Sequence, residues 1–150
     1  MNAMAVVPRP ITVAIVDDTE DIRFLLRAAL TRGGMEVVAE AGDGLLGIDV
    51  VSETQPDVVL LDLAMPVMDG RTALPQIKRA APEARVIVLS GFGADLLSEE
   101  LIALGADGYI EKGHPMRLIV QYVEDAATAP TSTRPPGRIL RLVPDADPGV

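Results

Sequence analysis

Residues 57–70 read Asp57-Val58-Val59-Leu60-Leu61-Asp62-Leu63-Ala64-Met65-Pro66-Val67-Met68-Asp69-Gly70. The four branched apolar residues Val58 to Leu61 are too few for a helix and show no polar alternation. They fit a strand buried on both faces, as in a parallel sheet covered by helices. The run stops at a carboxylate, Asp62, and a loop carrying Pro66 and Gly70 follows it. A second run of the same kind, Val86-Ile87-Val88-Leu89, stops at a hydroxyl, Ser90. Working outward from these two, we expect strands over 11–16, 36–41, 57–61 and 85–89, and a weaker one over 108–110.

Between the strands the hydrophobic period changes from 2 to 3.6. Ile22, Leu25, Leu26, Ala29 and Leu30 recur at i, i+3, i+4, i+7 and i+8, one apolar helix face, and Gly33-Gly34 ends it. Similar helices are expected over 45–53, 72–80, 94–104 and 116–127. On these bounds Pro75 lies in the first turn of the third helix and Pro115 opens the fifth, where a missing N–H costs little. Five βα units predict an α/β fold: a doubly wound (βα)5 domain over residues 11–127 with a five-stranded parallel sheet. Ligands bind such sheets at the carboxyl ends of the strands, here just after Val16, Leu61, Leu89 and Ile110.

Composition narrows the chemistry. At 150 residues the chain has room for one core of ordinary size. Thirteen basic against twenty-two acidic residues give a net charge of −9 and a pI near 4.5. This disfavours direct contact with nucleic acid or an anionic membrane. With no Cys and one His, thiolate catalysis and Cys or poly-His metal sites are excluded, whereas a hard cation held by carboxylates is not. No signal-peptide pattern or membrane-length apolar run is present, so a soluble, cytoplasmic protein is expected. Residues 1–10 read as an N-terminal tail. Five of the twelve prolines fall in 130–150, and 128–150 reads by default as a mobile C-terminal tail. Within it, Arg138-Ile139-Leu140-Arg141-Leu142-Val143 leaves three other readings open: an added strand, a partner-docking segment, or the start of a further domain.

The predicted strand ends gather Asp17 and Asp18 after the first strand, Asp62 after the third, Ser90 after the fourth and Lys112 after the fifth. Three converging carboxylates repel unless a cation or protons lie among them. Oxygen-only ligands suit Mg²⁺. Only Lys78 and Lys112 are lysines, against eleven arginines, so a lysine at this strand end is not background. A compact ammonium on a flexible stem can follow a phosphoryl oxygen. Carboxylate nucleophile, acidic cluster, hydroxyl and ammonium together predict a phosphoryl-transfer site.

These residues resemble the receiver domain of bacterial two-component response regulators, in its single-domain form. The likeness is carried by Val16-Asp17-Asp18, by Leu61 to Gly70, by Leu89-Ser90-Gly91 and by Gly105-Ala106-Asp107-Gly108-Tyr109-Ile110-Glu111-Lys112, over about residues 11–127. The resemblance implies a flavodoxin-like receiver fold. It implies that Asp62 accepts a phosphoryl group from a histidine kinase, a phosphotransfer protein or a small donor, in a Mg²⁺-dependent step. Asp18 and Asp62 would hold Mg²⁺ by side chain, Ala64 by its backbone carbonyl and Asp17 mainly through water. Lys112 would offset charge, while Ser90 and Tyr109 would act as the switch pair. Such a chain is a signalling switch that acts on itself, not an enzyme with an external substrate, and its output is binding of a downstream protein.

Two features depart from the commonest pattern: Ala64 stands where many members are polar, and Phe92 lies two residues past Ser90. Both flank the path of a hydrolytic water, which predicts slow self-dephosphorylation. Gly113 and His114 also separate Lys112 from Pro115. A rival signal is Gly42-Asp43-Gly44-Leu45-Leu46-Gly47, with Asp62 twenty residues past Gly42; it matches the dinucleotide fingerprint of an oxidoreductase. Asp43 would place a carboxylate against the pyrophosphate, so these glycines are expected to serve helix entry and close packing. The other alternative is a receiver-shaped binding module that works without phosphorylation.

Overall fold

The computed structural model describes residues 9–91, 94–129 and 140–141, with backbone alone for 94–98 and 140–141. The elements alternate as β1 (Thr12–Val16), α1 (Glu20–Arg32), β2 (Glu36–Ala41), α2 (Gly44–Thr54), β3 (Val58–Asp62), α3 (Gly70–Ala80), β4 (Arg85–Ser90), α4 (Ala94–Leu104), β5 (Gly108–Glu111) and α5 (Met116–Thr128), followed by β6 (Leu140–Arg141). The strands form one sheet in the order β2-β1-β3-β4-β5-β6, and every pair is parallel. The doubly wound expectation therefore holds.

The pleat divides each strand between two cores. In β3, Val59 and Leu61 join Val51, Leu74, Ile77 and Leu101 of α2, α3 and α4. Val58 and Leu60 join Leu26, Leu30, Ile119 and Val123 of α1 and α5 on the other face. β3 is buried at every position, and each fully buried Leu is worth roughly 2 kcal/mol relative to exposure. The chain turns one way from β1 to β2 and the other way to β3, so β1 and β3 flank the topological switch point where such sheets bind ligands.

Two sequence expectations change. α3 begins at Gly70, not residue 72, because Asp69 caps it by accepting a hydrogen bond from Thr72 N at 2.8 Å. Pro75 is thus the sixth residue of α3, in its interior and not its first turn. The carbonyl that loses its donor belongs to exposed Arg71, where water can replace the missing N–H. Beyond β5, Leu140–Arg141 adds a sixth strand, one of the readings left open for the 138–143 run. Residues 1–8, 92–93, 130–139 and 142–150 lie outside the described residues, so the Phe92 expectation and most of both tails fall there.

The glycine-rich stretch 42–47 serves α2 entry and packing. Asp43 caps α2 through Leu46 N at 2.9 Å. A Cβ on Gly44 would meet the Met68 carbonyl oxygen at 2.5 Å, and one on Gly47 would meet Val16 Cγ1 at 2.7 Å. Both contacts are with the body of the fold, which leaves no cradle there for a pyrophosphate.

Candidate functional site

The carboxyl ends of β1, β3, β4 and β5 bring the expected residues together. Asp17 and Asp62 are buried, Asp18 is exposed, and each of the three offers a carboxylate oxygen within 4.8 Å of the others. Lys112 reaches back from the end of β5: its Nζ lies 3.0 Å from Asp17 Oδ2 and 3.2 Å from Asp62 Oδ2. Ser90 is buried at the end of β4, and its carbonyl accepts from Lys112 N at 2.6 Å, tying the β4 and β5 ends together. Tyr109 is buried with Leu101 and Ala106 on the α4 side of the sheet. Exposed Ala64 donates its N–H to Asp62 Oδ1 at 3.2 Å.

Asp62 is therefore held at both oxygens. Burial, then the neighbouring Asp17 charge, push its carboxyl above the ordinary carboxylate range; Lys112 and the Ala64 N–H oppose this without cancelling it. For Lys112, burial disfavours the ammonium, but hydrogen bonding and charge from Asp17 and Asp62 outweigh it and hold the group above its usual value. The arrangement is short of positive charge: one ammonium stands against three carboxylates. Asp17 Oδ2 is fully buried and accepts no hydrogen bond of good geometry, although the ammonium lies near it. A buried oxygen left in that condition, within a set of hard oxygen donors, fits a small divalent cation with its own water shell.

Sequence reasoning missed the support around Asp17. Arg23 Nη1 donates to the Asp17 carbonyl at 2.5 Å, Thr19 N donates to Asp17 Oδ1 at 2.8 Å, and Asp17 N donates to the Ala41 carbonyl at 3.0 Å. Glu40 pairs with both Arg23 and Arg27. One signal was available, since Arg23 lies on α1 one turn past Thr19. Its carbonyl partner, however, depends on the tertiary position of β1. Asp69 caps α3, Met65, Met68 and Met116 pack against the cores, and His114 lies between β5 and α5. Among the described residues no helix is long and apolar enough to cross a membrane.

The model of the response regulator receiver domain matches residues 13–124. The chain belongs to this family. Receiver domains are signalling switches of two-component signal transduction, and this one has the family's parallel sheet and five covering helices. The receiver is 39% identical over 100 residues to the chemotaxis protein CheY of Bacillus subtilis (strain 168), covering 67% of this chain and 83% of that protein. It is 36% identical over 108 residues to CheY of Thermotoga maritima, covering 71% and 90%. Among solved structures, a signal receiver domain from Mycobacterium tuberculosis superposes with a TM-score of 0.76 at 30% identity, covering 82% of this chain and all of that one. A CheX–CheY complex containing BeF₃ and Mg²⁺ from Borrelia burgdorferi gives 0.75 at 30% identity, covering 80% and 91%.

Proposed function

We propose that this receiver is switched by phosphorylation of Asp62, with a histidine kinase or phosphotransfer protein as donor. The observation that carries the reading is the buried Asp62 carboxylate, faced by Lys112 at 3.2 Å and flanked by Asp17 and Asp18 at the switch point of the sheet.

Asp18 and Asp62 would hold Mg²⁺ through carboxylate oxygens and Asp17 mainly through water, with the Ala64 carbonyl as a further ligand. Bound there, Mg²⁺ supplies the positive charge that lets a carboxylate approach a phosphoryl dianion. An oxygen of Asp62 attacks phosphorus, the bond from phosphorus to the donor's imidazole nitrogen breaks, and an acyl phosphate forms on Asp62 as the freed imidazole takes up a proton. Lys112 moves from pairing carboxylates to pairing a new phosphoryl oxygen, and the Ser90 hydroxyl donates to another. Because Lys112 N is bound to the Ser90 carbonyl, both adjustments act on the ends of β4 and β5. Tyr109, three residues before Lys112, carries them to the α4–β5–α5 face, where a downstream protein docks.

Phosphotransfer from a panel of autophosphorylated histidine kinases tests this. Label should pass to the native chain and not to Asp62→Asn; transfer to Asp62→Asn at the native rate would overturn the assignment.

A further inference from the structure

The outer edge of β5 is covered by a piece of this chain that the switch described above does not use. β6 pairs with β5 in parallel, Gly108 opposite Leu140 and Tyr109 opposite Arg141. Tyr109 is thus held on one side by Val88 of β4 and on the other by Arg141 of β6. We propose that the β5 edge is a strand-accepting docking site and that Leu140–Arg141 is its built-in occupant, a guard that any partner pairing with β5 must displace.

Three observations support that occupant. A strand parallel to β5 must begin at the amino edge of the sheet, the edge at which α5 ends. Ala129 marks that end, and buried Arg85, at the start of β4, donates Nη2 to its carbonyl at 2.6 Å. The exit point is therefore fixed to the sheet. Eleven steps separate Ala129 from Leu140 and span up to about 36 Å, ample for the crossing along the amino edge from α5 to the open side of β5. Finally, Arg138-Ile139-Leu140-Arg141-Leu142-Val143 is the apolar and basic sequence expected of an edge strand, while Pro136 and Pro144 lack the N–H to continue a ladder beyond it.

Among the described residues two register pairs join β6 to β5 and four join β4 to β5, and a partner segment that pairs along β5 would compete for the same edge. The significance for output rests on the Asp62 reading, because β5 both carries Tyr109 and leads into Lys112. Occupancy of the edge can be tested without that reading.

Hydrogen exchange followed by mass spectrometry on the full chain, native and with the double substitution Leu140→Pro/Arg141→Pro, reads the edge directly. Amides of residues 108–111 should exchange faster in the variant, on the order of tenfold, with those of β1 and β3 unchanged as proof that the core is folded. A peptide of residues 137–144 added in trans should restore protection to the variant and leave the native chain unaffected. Equal exchange at 108–111 in both chains would overturn the proposal. So would native protection that falls on dilution together with loss of a dimer mass, because the occupant would then be a second copy. Phosphoryl adducts measured on the same samples separate the two claims: their absence defeats the Asp62 reading and leaves the exchange result to decide the edge.

Discussion

Lys112 and Asp62 meet at 3.2 Å although their strands, β5 and β3, are not neighbours and β4 runs between them. The contact is made above the end of β4, where Ser90 lies buried, so one ammonium spans three strand ends. Removing it leaves Asp17 and Asp62 facing each other in a buried place. Lys112→Ala should lower stability by roughly 1–3 kcal/mol without Mg²⁺, and millimolar Mg²⁺ should recover much of the loss, as read by urea denaturation. Phosphorylation of Asp62 by acetyl phosphate should slow on the order of 10²-fold, the usual cost of deleting one charge-stabilising donor.

The opposite end of the sheet provides a pH test away from the acidic cluster. Asp57 accepts two hydrogen bonds from Arg9, at 2.9 and 3.0 Å, and others from Thr12 N and Oγ1. Partial burial raises its pKa, but Arg9 and Thr12 outweigh burial and hold the carboxyl below its ordinary value of 3.8. Its stabilising effect is therefore complete above that value and is lost as pH falls through the lower folded value. Asp57→Asn should cost about 1–2 kcal/mol at neutral pH, and the gap from the native chain should close below the ordinary carboxylate range. A gap that stays constant into strong acid would show that the loss is one of shape and not of charge.

Val67 adopts φ 67°, and Met68 N donates across it to the Pro66 carbonyl at 2.7 Å, a γ-turn in the loop after Asp62. A β-branched residue there carries strain of roughly 1–2 kcal/mol, and it is 79% exposed, so no packing compensates. Val67→Asn should raise stability by about 1 kcal/mol, measured as a higher urea midpoint at unchanged slope.

Gly70 and Gly91 form a matched pair. A Cβ on Gly70 would stand 2.2 Å from the Asp62 carbonyl oxygen, whereas one on Gly91 meets nothing within 4 Å. Gly70→Ala should cost about 1–3 kcal/mol and slow phosphorylation by shifting the Asp62 backbone. Gly91→Ala should stay within about 0.5 kcal/mol of the native chain.

The parts of this fold that are legible in the sequence are those set by local pattern. Uninterrupted runs such as Val58–Leu61 mark doubly buried strands, and a strand end marks where a ligand group stands, so Asp17, Asp18, Asp62, Ser90 and Lys112 could be placed before any coordinates. Boundaries set by a side-chain cap were harder. Asp69 extends α3 back to Gly70 and moves Pro75 into the helix interior, which the apolar period alone does not show. Contacts fixed only by tertiary placement were not legible. Arg85 on the Ala129 carbonyl joins residues 44 apart, and Arg23, only six residues from Asp17, meets its carbonyl through the way the β1–α1 turn is folded. β6 lies between these cases: its strand-like composition is plain, but its partner depends on which sheet edge is free.

The most direct measurement is the intact mass after incubation with acetyl phosphate, with and without Mg²⁺, for the native chain and Asp62→Asn. A single Mg²⁺-dependent phosphoryl adduct, present in the native chain and absent from the variant, is the predicted result. An adduct that persists in Asp62→Asn, or none on the native chain with this donor or any kinase of the panel, would contradict phosphorylation of Asp62 as the switch.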